Sequence, residues 1–457
     1  LKMEIKEIQE IIKAENIDTI RIEYPDLYGI CRNKMVPARR LEELTEEGIN
    51  FAQAIYAIDL TNDVAPETGC GYEIEWKDMT IMPDLNTFTV LPYLEGTARL
   101  IGNAFRDGQP IPVDPRYALQ KIIKKYEEKN LRPVCASELE FFVYHPGEGG
   151  PGPLYNPHLS CVYQANPILD PIGLSRTLQN LFLKLGFEII YLNHEFFPSQ
   201  FEVNWKYDHA LNCADQTFTF KYVCKEVAAQ NNYHLTFMGR PTTEGGGSGY
   251  HIHLSLSDPK TRKNLFDDPD AEYGISELMR YFIGGQMAHA KGMSALLAPT
   301  INSYKRYQPD SFAPYYLAWG LDNRTVYCRV PGERGKATAG LRCEVRYFAS
   351  PRRLPLALAT APSDSAAAVP PYQCNLNHIM TLHDVRLAAR WCFWRDGSIR
   401  ITCVKPDSEP GRTVSIFDPI MKHRRSKWGL IVGFTLLCLS PLAACFWIIQ
   451  GQNLIFR

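Results

Sequence analysis

The segment from Val134 to Tyr144, VCASELEFFVY, constrains this chain more than any other. Its alternation reads as a β-strand, because successive side chains of a strand point to opposite faces. Glu138, Glu140 and Phe142 then share one face, and Leu139, Phe141 and Val143 the other. The apolar row demands a core behind it. The two carboxylates repel one another unless a cation lies between them. Taken alone, such a pair most simply lines a solvent-facing strand edge.

Other extended segments carry more of the same chemistry. Phe187 to Leu192 reads as a strand leading into HEFFPSQFEVNW, where Pro198-Ser199 makes a turn that lets Glu195 and Glu202 converge. In EGGGSGYHIHLSLS, Gly245, Gly246, Gly247 and Gly249 allow close backbone approach to a ligand. His251 and His253 fall on one strand face there, and Ile252 and Leu254 on the other. Between Asn302 and Tyr347 lie Lys305, Arg306, Arg324, Arg329, Arg334, Lys336, Arg342 and Arg346. Glu344 stands between Arg342 and Arg346 at alternate positions, so a strand places all three on one face. Each motif is weak by itself, but the set is not. Five carboxylates and an imidazole suit hard cations, Mg²⁺ or Mn²⁺, rather than zinc. The arginines would neutralise a transferring phosphoryl group, so the pattern fits phosphoryl transfer from ATP.

A chain of 457 residues has room for two or three domains. Its net charge of -1 offers no electrostatic pull on nucleic acid. The 13 cysteines form no CxxC pairs, which fits reduced thiols in the cytoplasm. The N-terminal LKMEIKEIQEIIKAENI is charged and amphipathic, unlike a secretory signal. Helical spacing over residues 1–14, strands in IDTIRIEY and CRNKMVPA, and a short helix from Leu41 to Gly48 predict a small mixed N-terminal domain. A boundary is expected near residue 110, with a helix opening at Asp114. Further helices are expected over 175–186 and from Ser276 to Leu296. Residues 428–449 carry no charge and are long enough to span a bilayer. Lys422, His423, Arg424, Arg425 and Lys427 before them would keep the preceding side in the cytosol.

The stretches SELEFF, EFFPSQFE, GGSGYHIHLS, NSYKRYQPDSFAP, DNRTVYCRVP and LRCEVR, in this order and with DMTIMPD before them, resemble the glutamine synthetase family. The likeness covers roughly residues 15–350 and is closest to the branch of γ-glutamyl-amine ligases and lengsin. It implies an α+β fold. A small β-grasp domain would occupy 15–105. A large catalytic domain, an antiparallel sheet forming a half-barrel, would occupy 110–350 and be completed by a neighbouring subunit in a ring-shaped homo-oligomer. It implies that Glu140, Glu195 and Glu202 hold one metal ion, and that Glu138, His251 and Glu344 hold a second facing the ATP phosphates. Arg306, Arg324 and Arg346 would hold the glutamate carboxylate or the γ-phosphate. Arg329, Arg342, His253 and Ser255 would lie near the nucleotide, and Gly247 beside the amino-acid substrate. The implied reaction joins the γ-carboxylate of glutamate to ammonia or an organic amine through a γ-glutamyl phosphate.

The chain departs from the family in four places. Phe312 replaces the flap glutamate, which favours an organic amine over ammonia. Gly246 replaces an asparagine that holds substrate glutamate. No aspartate matches that of the ammonium site, although Asp59 and Asp63 lie in the expected region. Residues 362–457 match nothing in the family, and the 428–449 segment reads as an error in the gene model or a membrane tail, the former being favoured. The alternative to a ligase is a non-catalytic, lengsin-like structural homologue.

Overall fold

A computed structural model describes residues 3–157, 162–242, 245–298, 300–308, 313–314 and 316–331, with short strands at 343–347, 389–393, 399–403 and 413–415. The strands are β1 (Thr19–Pro25), β2 (Cys31–Pro37), β3 (Ile49–Ala52), β4 (Asp78–Pro83), β5 (Thr89–Val90), β6 (Thr97–Arg106), β7 (Gln109–Pro110), β8 (Arg132–Gly147), β9 (Gly150–Leu154), β10 (Ile189–His194), β11 (Gln200–Trp205), β12 (Asp208–His209), β13 (His234–Thr236), β14 (Tyr250–Ser257), β15 (Tyr316–Leu321), β16 (Val326–Val330) and β17 (Cys343–Tyr347). Three later strands, Ala389–Phe393, Ile399–Cys403 and Thr413–Ser415, pair with one another. The helices are α1 (Ile5–Ala14), α2 (Leu41–Glu47), α3 (Pro115–Glu127), α4 (Asn166–Leu169), α5 (Leu174–Lys184), α6 (Ala210–Gln230), α7 (Glu277–Leu297) and α8 (Ile301–Tyr304).

The chain forms two compact units. One comprises Leu1–Ile49, Ile81–Asn103 and Asp114–Met380; the other comprises Asn50–Thr80, Ala104–Val113 and Thr381–Arg457. In the first unit β1 pairs antiparallel with β2 and parallel with β6. Local chemistry explains the helix ends there. Asp114 caps α3 by accepting from the Arg116 amide, and Ser276 caps α7 by accepting from the Met279 amide. Gly48 ends α2 at a φ of 70°, in the left-handed region that favours glycine. In the second unit Arg106 donates to Gln53 Oε1 at 2.9 Å. Asp59 Oδ1 accepts from the Thr61 amide, the Thr61 hydroxyl and the Asp63 amide, which fastens the Asp59–Asp63 turn onto itself.

The large sheet of the first unit runs β10-β11-β8-β14-β17-β16-β15, with β9, β12 and β13 also pairing β8. It is antiparallel apart from the parallel β15–β16 pair. Behind β8 lies the core that its apolar row required: Leu139, Phe141 and Val143 are buried. The Phe141 ring lies 5.9 Å from Phe201, 6.3 Å from Phe220 of α6 and 5.7 Å from Phe237. Helix α6 is continuous over 21 residues. Two ionic anchors, one buried and one half-buried, hold this unit together. Arg116 bridges Asp84 at 2.7 Å and Asp215 at 2.9 Å. Arg21 on β1 grips both carboxylate oxygens of Glu226 on α6 at 3.0 Å.

Among the described residues no helix is long and apolar enough to cross a membrane. The uncharged run over 428–449 and the tail around it lie outside the described residues, three short strands apart.

Candidate active site

Strand β8 sits between β11 and β14, so the face carrying Glu138 and Glu140 is not an exposed edge. Glu140 is only 8% exposed. Register does the rest. Glu202 lies opposite Glu140, Asn204 opposite Glu138, and His251 opposite Glu138. Residues directly opposite in an antiparallel pair share a face, so the three strands present these side chains together. The row continues in backbone register, with Glu344 opposite His253, Arg346 opposite His251, and Arg329 opposite Glu344. The side chains of β17 and all of Arg342 and Phe312 lie outside the described residues. Glu195 enters from the β10–β11 turn, whose geometry is set by Ser199 at a φ of 61° and by the Glu195 amide donating to the Gln200 carbonyl at 2.8 Å.

Glu138 bridges two imidazoles, with His251 Nδ1 at 2.6 Å from one oxygen and His253 Nε2 at 3.0 Å from the other. Burial opposes its ionisation, but His251 and His253 hold it well below the usual carboxylate range. The remaining glutamates are pushed the opposite way. Burial and the neighbouring Glu140 charge raise Glu195 to about 7. Burial and the charges of Glu138, Glu195 and Glu140 raise Glu202 well above its ordinary value. Carboxylates crowded in this way are in conflict, and a cation placed among them would relieve it.

Sequence reasoning overlooked the neutral amides that partner these acids. Gln200 donates to Glu140 at 2.8 Å, Asn204 to Glu202 at 2.7 Å and Asn193 to Glu195 at 2.9 Å. Gln200, Glu202 and Asn204 alternate along β11, so the signal was present in QFEVN. Among the described residues no three His, Cys, Asp or Glu side chains converge as a ready-made metal cage. The all-oxygen and imidazole donors nevertheless fit a hard divalent ion in type. Hydrogen bonds to amides and imidazoles engage one oxygen each of Glu140, Glu195 and Glu202 and both oxygens of Glu138.

The glycines of this run pack closely on backbone and on side chains of the site. A Cβ on Gly249 would lie 2.7 Å from Glu140 Oε1 and 2.8 Å from His251 Nε2. On Gly247 it would lie 2.0 Å from the Gly239 carbonyl and 2.3 Å from Arg306 Cδ, so the Arg306 stem rests against that glycine. Gln200 also donates to the Gly247 carbonyl at 3.2 Å, tying the run to Glu140. Arg329 is buried and donates to Asp322 at 2.6 Å. Ser255 continues the His251–His253 face of β14. Arg324 sits exposed in the β15–β16 turn.

A mixed α/β domain whose main sheet lines up buried glutamates, imidazoles and arginine positions on one face is a catalytic domain of carboxylate-rich type. The glutamine synthetase catalytic domain matches residues 112–361, and the chain belongs to that family. It is 37% identical to the glutamine synthetase of Thermotoga maritima over 341 residues, 74% of each chain. It is 34% identical to that of Thermus thermophilus over 395 residues, 83% of this chain and 84% of the relative. The solved structure of ligand-free GmaS superposes with a TM-score of 0.70 at 28% identity, covering 80% of this chain and 83% of GmaS. A crystal structure of a glutamine synthase homologue matches in fold at a TM-score of 0.67 and 24% identity, covering 81% and 87%.

Proposed function

We propose that the protein is an ATP-dependent ligase that joins the γ-carboxylate of glutamate to an organic amine or ammonia. The observation that carries this reading is the shared face of Glu138, Glu140, Glu202 and His251 across three adjacent strands. In it, Glu140, Glu195 and Glu202 hold one Mg²⁺ or Mn²⁺, and Glu138, His251 and Glu344 a second. When bound, these ions offset the charge of the ATP phosphates. Gly247, Arg306 and Arg346 bound the acid pocket; the contact of the Arg306 stem with Gly247 supports its pairing with a carboxylate of the acid. Arg324 serves the γ-phosphate. Arg329, Arg342, His253 and Ser255 border the nucleotide.

The acid's γ-carboxylate oxygen forms a bond to the γ-phosphorus as the bond to ADP breaks. The amine nitrogen then displaces phosphate from the acyl carbon and loses a proton. The site must exclude water, which would hydrolyse the acyl phosphate. The motif resemblance to γ-glutamyl-amine ligases and a phenyl ring at Phe312 support an organic amine, and the similarity to GmaS, solved in complex with ADP, supports nucleotide binding. The β1–β2 hairpin with β6 parallel to β1 supports a β-grasp over 15–105 ahead of a catalytic domain over 110–350. A cytoplasmic, ring-forming homo-oligomer belongs to the same reading.

Purified protein given ATP, Mg²⁺ and glutamate should release phosphate when an alkylamine panel or ammonia is added. Absence of amine-dependent release across the panel would refute the ligase.

A further inference from the structure

Three glutamates of the cluster are each held by a neutral side-chain amide. Gln200 is 1% exposed; its Nε2 donates to Glu140 Oε2 at 2.8 Å and to the Gly247 carbonyl at 3.2 Å. Its Oε1 accepts from the Phe197 amide at 3.3 Å, which fixes the end of the amide that faces Glu140. The Gly249 amide donates to the same Glu140 Oε2 at 2.8 Å. A carboxylate oxygen offers about two lone pairs, so Oε2 is fully engaged and a cation is left Oε1. Oε1 lies beside the bare Cα of Gly249, where a Cβ would be 2.7 Å from it and 2.8 Å from His251 Nε2. Asn193 Nδ2 donates to Glu195 Oε1 at 2.9 Å and Asn204 Nδ2 to Glu202 Oε1 at 2.7 Å, so one oxygen of each is held in the same way. Glu202 also abuts the Glu138 carboxylate.

A carboxylate with one oxygen tied up meets an ion through the other alone. That suits Mg²⁺, which demands near-ideal octahedral geometry at about 2.0–2.1 Å. Ca²⁺ gathers about 6–8 oxygens at longer distances and draws on two-oxygen carboxylates to reach that number. We infer that Gln200, aided by Asn193 and Asn204, sets the ion preference of the site: by holding Glu140 to one oxygen it makes the cluster take Mg²⁺ over Ca²⁺. Gln200 is a positioning residue, acting on the ion through Glu140. The inference rests on the reading of Glu140, Glu195 and Glu202 as cation ligands.

The test loads the full chain with Mn²⁺, read by electron paramagnetic resonance of the free metal. The ion that Glu140→Gln weakens is then displaced with Mg²⁺ or with Ca²⁺. In the native protein Mg²⁺ displaces it at the lower concentration. Gln200→Met keeps the side-chain length and removes both donors. It should move the ratio of the two displacing concentrations at least about tenfold in favour of Ca²⁺. A purely structural role would lower the melting temperature and weaken both competitors alike, leaving the ratio where it was. Tighter binding of Ca²⁺ than of Mg²⁺ by the native protein, or an unchanged ratio in a folded Q200M variant, overturns the proposal, while Mn²⁺ binding leaves the cation reading standing. Where Q200M does not fold, Asn193→Ala, on a less buried side chain, decides. A shift in the same direction upholds the proposal, and an unchanged ratio overturns it. Native protein that binds no Mn²⁺ at all removes the cation reading and the proposal with it.

Discussion

Glu195 offers the sharpest physical test of the carboxylate cluster. Burial and the Glu140 charge move its carboxyl from 4.5 to about 7. A folded-state value above the unfolded one favours the protonated form of the folded chain. The stabilisation is complete below pH 4.5 and disappears as pH rises through 7. At about 1.4 kcal/mol per tenfold change in acidity, ionising Glu195 in the fold costs about 3 kcal/mol, and less with solvent screening because the side chain is only partly buried. Glu202 shifts in the same direction. Glu138 shifts oppositely, and its contribution is lost only on acidification below its ordinary value. Metal-free protein in chelator should therefore melt several degrees lower at pH 8 than at pH 5.5. Millimolar Mg²⁺ should flatten the curve, and Glu195→Gln should flatten it without metal. A melting temperature independent of pH over this range, or an E195Q variant with the native slope, would refute the electrostatic conflict.

Four further outcomes follow from the geometry. Gly249→Ala should lower phosphate release at least about 100-fold while the protein stays folded by circular dichroism, because its Cβ intrudes between Glu140 and His251. Glu138→Gln, which removes the charge between His251 and His253, should reduce kcat by a similar factor in the same assay. Phe141→Ala should cost about 3–5 kcal/mol in denaturant unfolding, with three aromatic neighbours left facing a cavity. Arg116→Met should cost about 3–5 kcal/mol by the same measurement, since it strands Asp84 and Asp215.

The strand β8 was legible because its alternation is strict and one face is wholly apolar. The helix starts at Asp114 and Ser276 were legible from their capping side chains. A bare ExE pair suggested a solvent-facing edge; pairing with β11 and β14, which are distant in sequence, buried it instead. The amide partners Gln200, Asn204 and Asn193 went unread because neutral side chains carry no charge pattern. Gly246 stood out against the family motif, but its close approach to the Phe197 ring is a tertiary contact that no local rule reveals. Arg324 shows a further limit: its residue type suits an anion contact, and only the fold places it in the β15–β16 turn.

Counting bound ions tests the central claim most directly. Titration of the full chain with Mn²⁺, read by electron paramagnetic resonance of free metal, should show at least two ions bound per chain, with Glu140→Gln or Glu138→Gln each weakening one of them. No binding by the native protein, or binding indifferent to both substitutions, would contradict the assignment of this glutamate and histidine face as the divalent-cation site.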